Sequence, residues 1–181
     1  MACLDTPRLF LRPLCTDDLD GLCAIYGDVE VMRYVGKGAR TRDETRESLL
    51  RMVGHWQRHG FGMWAVIEKD ENRLIGRCGL CFLDNTLEVE LGYTLARAAW
   101  GKGLATEAAH ACLRHGFGVL GLDRIVAVAR PANRASRRVM EKVGMRFEKN
   151  GHFYSADVVY YAISRRAYAS AAGPGQTASR R

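Results

Sequence analysis

The stretch WGKGLATEA, Trp100 to Ala108, sets two glycines and a lysine in front of a helical run. Upstream, LEVELGYTL alternates as a strand and ends near Leu95. Downstream, Ala105, Ala108, Ala109, Cys112, Leu113 and Phe117 recur at helical period and predict a helix to about Phe117. The unit is strand, glycine turn, helix. Glycines at 101 and 103 let the backbone turn sharply and admit a ligand close to the main chain. The first amides of a helix have no internal partner, and with the helix dipole they form an anion site. Lys102 adds charge and Thr106 a hydroxyl. The same residues also suit a tight turn with no ligand. The Walker spacing G-x-x-x-x-G-K-[ST] is absent. A dinucleotide-type G-x-G-x-x-G occurs at Gly116–Gly121, but it follows a helix and precedes a strand, the reverse of the required order, and reads as a helix terminus.

Outward from this turn, the N-terminal side carries RLFLRPL, read as an edge strand stopped near Pro13, and a helix capped by Thr16. A longer helix opens at Thr41, whose spacing to Glu44 makes a capping box, and presents Leu49, Leu50, Val53 and Trp56. GMWAVIEK, RLIGRCGLCFL and LEVELGYTL then form an antiparallel meander. After the glycine turn and its helix, DRIVAVARP reads as a buried strand. Asn133 caps a short helix that ends at a left-handed Gly144, and two more strands lie near MRFEK and HFYSADVVYYAI. Residues 1–168 read as one domain, and 169–181 as a small, polar, disordered tail.

A chain of 181 residues with 48% apolar residues can bury a substantial core. Its six cysteines sit among apolar neighbours behind no secretory signal, which favours reduced thiols and a cytoplasmic protein. No segment has the apolar length of a membrane span. The net charge of +7 attracts anions or serves solubility alone. A nucleic-acid binder would interleave aromatic and basic residues on an exposed sheet. FYSADVVYY has the aromatics but few charges, so nucleic acid is not the expected partner.

EVELGYTL, WGKGLATEA and ANRASRRVMEKVGMRFE, in this order, together resemble the GNAT acyl-CoA N-acyltransferase superfamily. With the opening TPRLFLRPL they are similar to its Rim-type branch, which acetylates protein N-termini such as ribosomal alanines and also includes small-molecule acetyltransferases. The likeness runs from about Thr6 to about Tyr168. Trp100 stands where the family more often has Gln or Arg, a departure common in the Rim-type branch. The resemblance implies an α+β (mixed α/β) fold with a mostly antiparallel twisted sheet of about six to seven strands and about four helices. It implies acetyl-CoA as acyl donor and no metal. The pyrophosphate then falls to the backbone of Gly101, Lys102, Gly103, Leu104, Ala105 and Thr106. The pantetheine arm falls to Tyr93, Thr94 and Leu95, and Asn133 adds a further contact. A homodimer is compatible with it.

Acetyl transfer to an amine needs a base for the amine proton, a donor for the developing oxyanion and a proton for the departing sulfur. Glu90 in ELGY is the candidate base; its ordinary alternative is a solvated strand face. Glu88, two residues earlier, shares its face, and paired carboxylates are expected to raise each other's pKa. The oxyanion donor is expected from a backbone amide of the same strand. The family often carries a Tyr as acid on the helix after Asn133; Met140 stands there, and Ser136 is the substitute candidate. Cys78 and Cys81 lack a second ligand pair and read as core, and His55 and His59 lack a third ligand. Arg134, Arg137 and Arg138 either reach a cofactor phosphate or form a solvated helix face. No acidic trench for a polyamine or aminoglycoside is visible, and +7 disfavours such polycations. The expected acceptor is a peptide or protein α-amine, with small amines and amino acids as the alternative. A catalytically idle acyl-CoA-binding protein is the reading from another class.

Overall fold

The computed structural model describes residues 2–171. In chain order it contains β1 (Leu4–Asp5), β2 (Leu9–Pro13), α1 (Leu19–Tyr26), α2 (Val29–Met32), α3 (Arg42–His59), β3 (Met63–Glu68) and β4 (Arg73–Phe82). There follow β5 (Val89–Leu95), α4 (Leu104–Gly118), β6 (Arg124–Ala129), α5 (Arg134–Lys142), β7 (Arg146–Phe153), β8 (Ala156–Ser164) and α6 (Arg165–Ala171). All eight strands form one sheet in the order β1-β2-β3-β4-β5-β6-β8-β7.

Local chemistry sets the helix ends. Thr41 Oγ1 accepts from the Glu44 amide at 3.3 Å, and Glu44 Oε2 accepts from the Thr41 amide at 2.8 Å, closing the box that starts α3. Gly60 ends it at φ +74°. Asn133 Oδ1 accepts from the Ser136 amide at 3.1 Å to start α5. The inward face of α3 carries Thr45, Ser48, Leu49 and Trp56. Leu50, expected in that stripe, lies 52% exposed. One residue is a 100° step on the helix, which carries Leu50 off the face that Leu49 and Trp56 share.

Strand alternation builds the layers. Trp64 and Val66 of β3 pack in one core with Ala108, Ala109, Cys112 and Leu113 of α4. Met63, Ala65 and Ile67 pack on the opposite face with Leu22 and Ile25 of α1, Met32 of α2 and Leu49 of α3. The sheet is thus sandwiched between the N-terminal helices and α4.

Eight strands and six helices exceed the expected counts. The additions are β1 with two residues, α2 with four and α6 with seven, all too short to show a period. Because β1 pairs with β2, through Leu4 and Leu11, the RLFLRPL strand is not the edge that Pro13 suggested. The helix expected to start at Thr16 begins as a 3-10 turn over Thr16–Asp18. There Asp18, not Thr16, caps the chain, accepting from the Cys15 amide at 2.9 Å. Helix α6 carries order to Ala171, three residues past the expected boundary at Tyr168. The remaining tail expected to be disordered, 172–181, lies outside the described residues.

One feature of the topology makes the site. Strand β5 pairs along its whole length with β4, from Phe82–Val89 to Gly76–Leu95. Its other neighbour, β6, is parallel and is registered only at Glu90–Val126. Beyond Glu90 the strands part, and the far edge of β5 from Leu91 to Leu95 has no strand beside it. The sheet opens at Glu90.

Candidate functional site

The opening between β5 and β6 continues into two cavities, of about 300 and 480 Å³. Both are lined by Tyr34, Val35, Tyr93, Thr94, Asn133 and Ser136, so they form one groove. The larger end reaches the glycine turn, and the smaller reaches Glu90.

At the turn, Gly101 and Gly103 hold φ of +74° and +78°, a region that side chains other than glycine rarely enter. A Cβ on Gly101 would meet nothing within 4 Å. Among the described residues, no acceptor takes the amides of Gly101 to Thr106; the first helical bond runs from the Glu107 amide to the Gly103 carbonyl at 3.0 Å. Gly103 caps α4 with no side chain. Leu104 is 2% exposed, and its side chain anchors the helix start in the core. Ala105 and Thr106 line the groove. This cradle of free amides at a helix start suits a phosphate group.

Arg8 holds the cradle in place. Its Nη1 donates to the Lys102 carbonyl at 2.8 Å and its Nε to Glu107 Oε2 at 2.7 Å. Thr6 Oγ1 donates to Glu107 Oε1 at 2.7 Å. Burial pushes the Glu107 carboxyl up, but the hydrogen bonds from Thr6 and Arg8 outweigh it and hold the group below its ordinary range. The Arg8 charge thus offsets a carboxylate that would repel an anion at the start of α4. In the sequence TPRLFLRPL carries a strand and part of the family likeness; the spacing of about a hundred residues between Arg8 and Glu107 leaves no local signal for this pairing.

On β5, the Tyr93 hydroxyl donates to the Ser136 carbonyl at 2.9 Å and lies 3.0 Å from Ser136 Oγ. Burial pushes the Tyr93 hydroxyl up, so it stays protonated and can donate. Thr94 is 6% exposed and its Oγ1, buried in the groove wall, has no partner among the described residues. The Leu95 carbonyl accepts from Trp100 Nε1 at 2.9 Å, which ties the strand end to the turn. The unpaired edge of β5 and the orphaned Thr94 hydroxyl fit an extended chain carrying amide groups, such as pantetheine. The free amides of the turn fit its pyrophosphate.

Glu90 lies 7% exposed where the strands separate. Burial pushes its carboxyl up to about 7. The hydrogen bond from Tyr154, the charge of Arg77 and the Val128 amide act in the opposite direction and lose to it. Glu88 has no part in this shift: its Oε1 accepts from the Tyr160 hydroxyl at 2.6 Å. The expected mutual effect of paired carboxylates is therefore corrected; loss of water, not Glu88, raises Glu90.

Tyr154 is the site residue that sequence reasoning missed. Its hydroxyl donates to Glu90 Oε2 at 2.5 Å and accepts from the Asp84 amide at 3.0 Å. Its own amide donates to Asp84 Oδ2 at 2.9 Å. Tyr154 and Ser155 form the two-residue turn between β7 and β8, with φ of +52° and +57°. Such turns favour Asn-Gly, and Tyr-Ser in both left-handed positions stores strain. That mismatch becomes visible only once the turn is located.

Met140 is 1% exposed within the α4-side core, so the helix after Asn133 offers no phenol there. Arg138 and Lys142 line the groove near the turn, whereas Arg137 turns away, its Nε donating to the Tyr161 hydroxyl at 3.3 Å. Cys78 packs 3.5 Å from Cys112 as a buried free thiol, while Cys81 faces the other side of the sheet. The His55 and His59 rings lie 4.6 Å apart between centroids, tilted at 48°, beside Phe61 and Phe82. Among the described residues, no group of three or more His, Cys, Asp or Glu is placed to hold a metal ion, and no helix is long and apolar enough to cross a membrane.

Residues 8–146 match the family model described as an acetyltransferase (GNAT) domain. The chain is 31% identical to the uncharacterized N-acetyltransferase p20 of Bacillus licheniformis, over 93% of this chain and 99% of that protein. A GNAT-family acetyltransferase structure from Bacillus anthracis superposes with a TM-score of 0.79 at 30% identity, covering 91% of this chain and 99% of the other. Over 49% of this chain and 54% of the relative, identity is 32% to a putative ribosomal N-acetyltransferase, YdaF of Bacillus subtilis.

Proposed function

The chain belongs to the GNAT acetyltransferase family, and from that premise we propose that it moves an acetyl group from acetyl-CoA to the α-amine of a peptide or protein by direct attack in a ternary complex. The observation that carries this reading is a buried carboxyl, Glu90, brought to about 7 at the mouth of a groove whose other end is a cradle of free amides.

Acetyl-CoA supplies an acyl thioester. The amides of Gly101 to Thr106, with Lys102, hold its pyrophosphate, and Asn133 with the open edge formed by Tyr93, Thr94 and Leu95 aligns its arm toward Glu90. Glu90, about half ionised near pH 7, accepts the proton of the attacking amine. A carbon–nitrogen bond forms and the carbon–sulfur bond breaks, with the electron pair leaving on sulfur. The Ser136 and Tyr93 hydroxyl pair passes sulfur the proton it needs, the role left open by Met140, and is recharged from solvent while Glu90 gives up its proton to solvent, so that the site returns to its starting state. Free amides on the unpaired edge of β5 receive the developing oxyanion.

The part-length likeness to a protein named as a ribosomal N-acetyltransferase supports an α-amine on a polypeptide, as does the basic charge of the chain. Such a role places the protein in the cytoplasm. The test is amine-dependent release of thiol from acetyl-CoA, with panels of short peptides, amino acids, and polyamines plus aminoglycosides. Fast turnover of peptides supports the reading. Turnover confined to polyamines or aminoglycosides contradicts it.

A further inference from the structure

The smaller end of the groove, where an acceptor would meet Glu90, has an unusual charge pattern. Its lining holds three arginines, Arg40, Arg77 and Arg130, against one carboxylate, Glu90. Among the described residues none of the three arginines forms an ion pair with a carboxylate. Arg77 Nη1 rests 3.2 Å from Met63 Sδ, a weak acceptor, and its Nε is buried without a partner. Arg130 Nη2 donates to the Gly36 carbonyl at 3.0 Å, and its Nε is likewise buried without a partner. Arg40 donates to Ser48 Oγ at 2.8 Å and lies over the Tyr26 ring at 5.0 Å. Buried guanidinium donors with no acceptor are costly unless a ligand supplies one.

The positions of these groups are ordered by the strands. Arg77 stands opposite Thr94 and Cys81 opposite Glu90, so Arg77, Glu90 and Gly92 share one face of the sheet. A Cβ on Gly92 would come within 2.9 Å of Met63 Cε and 3.7 Å of Arg77 Nη1. The missing side chain at Gly92 therefore makes room for the Met63 methyl, and it lets the Arg77 guanidinium, which like Gly92 lines the groove, end on the side of Glu90. Arg77 and Glu90 sit two strand repeats apart, but the Arg77 guanidinium ends beside Gly92, one repeat, about 7 Å, from Glu90, the scale of one amino-acid residue with a hydrogen bond at each end.

We propose that the acceptor carries a carboxylate close to its reacting amine, and that Arg77 and Arg130 receive this carboxylate while Glu90 faces the amine. Arg40 adds to the positive field behind them. This rests on the acetyltransferase reading and narrows it to anionic α-amines. The same chemistry comes from two sources: the α-carboxylate of a free amino acid, or the side chain of Asp or Glu at the start of a peptide.

The experiment compares matched acceptors in acetyl-CoA turnover. One arm sets free amino acids against their carboxamides. The other sets amidated peptides beginning with Asp or Glu against those beginning with Asn or Gln. The acid is expected to exceed its neutral partner at least tenfold in kcat/KM in one arm, as for a charge-assisted pair. In Arg77→Gln and Arg130→Gln that ratio falls toward one, mainly through KM for the acceptor, with acetyl-CoA affinity unchanged; Arg130→Lys restores part of it. Calorimetry with the N-acetylated acid and its neutral counterpart reads the same preference without turnover. Equal turnover of acids and neutral partners in both arms, or product acids that bind no better than neutral ones, overturns the proposal. If neutral amines turn over with normal acetyl-CoA affinity, the acetyltransferase reading stands without it. If acetyl-CoA neither binds nor turns over, that reading fails, and the calorimetry still decides the charge preference of the pocket.

Discussion

Replacing Glu90 by Gln should change the pH dependence of stability as well as activity. In the fold, burial moves the Glu90 carboxyl from an ordinary 4.5 to about 7. That displacement corresponds to about 3 kcal/mol of preference for the neutral form. A raised pKa means that the contribution of this site to stability is complete below about pH 4.5 and is lost as pH rises through about 7. Gln keeps the shape and can still accept from Tyr154, but it has no proton to lose. The Glu90→Gln protein should therefore match the parent near pH 4.5 and exceed it by up to about 3 kcal/mol at pH 8. Urea denaturation of both proteins at a series of pH values between these limits measures the difference, because all other titrating groups cancel. A stability difference that stays constant across this range, or a Gln variant weaker at pH 8, would refute the assignment of burial as the dominant influence on Glu90.

Other consequences are equally open to measurement. Tyr154→Phe removes a hydrogen bond that lowers the Glu90 pKa, so the rising limb of the pH–rate profile should move to higher pH; a shift to lower pH would contradict the role given to that bond. Gly103→Val places a side chain at φ +78° beside the free amides, and acetyl-CoA affinity by calorimetry should fall at least tenfold, with about 1–2 kcal/mol of stability lost to the left-handed backbone. Unchanged affinity in the folded variant would remove the turn from the binding site. Ser136→Ala combined with Tyr93→Phe should lower kcat more than the acetyl-CoA KM, by about tenfold or more if these hydroxyls protonate the sulfur. Thr41→Ala should cost about 1 kcal/mol through loss of the cap on α3, seen as a lower urea midpoint with unchanged slope.

Elements long enough to show a period were legible in the sequence. Helix α3 was bounded by Thr41 and Glu44 at one end, and the three-strand meander and the glycine turn stood out by composition. The strand β1 and helices α2 and α6 were not, since two to seven residues contain too little periodic signal. The groove followed the same rule. Gly101 to Thr106 stand out by composition and Tyr93 to Leu95 enter through the family likeness; all of them except Lys102 line one cavity. Tyr154 meets Glu90 across 64 residues and Arg8 meets Glu107 across 99, contacts that only the folded sheet creates. The cause of the Glu90 shift lies beyond the sequence for a related reason: strand alternation shows that Glu88 shares its side, but not that Tyr160 engages Glu88 or that water is excluded around Glu90.

The measurement closest to the central claim is the initial rate of amine-dependent thiol release from saturating acetyl-CoA, followed from about pH 5.5 to 9 for the parent protein and Glu90→Gln. If Glu90 is the base, log kcat/KM for the parent carries a bend near pH 7 as the carboxyl ionises, beside the bend at about pH 8 that the α-amine of the acceptor contributes in parent and variant alike. Glu90→Gln should lose the bend near pH 7 and at least about a hundredfold in rate while binding acetyl-CoA as before. No amine-dependent release by the parent protein, or a Gln variant that keeps both the rate and the bend near pH 7, would contradict the account.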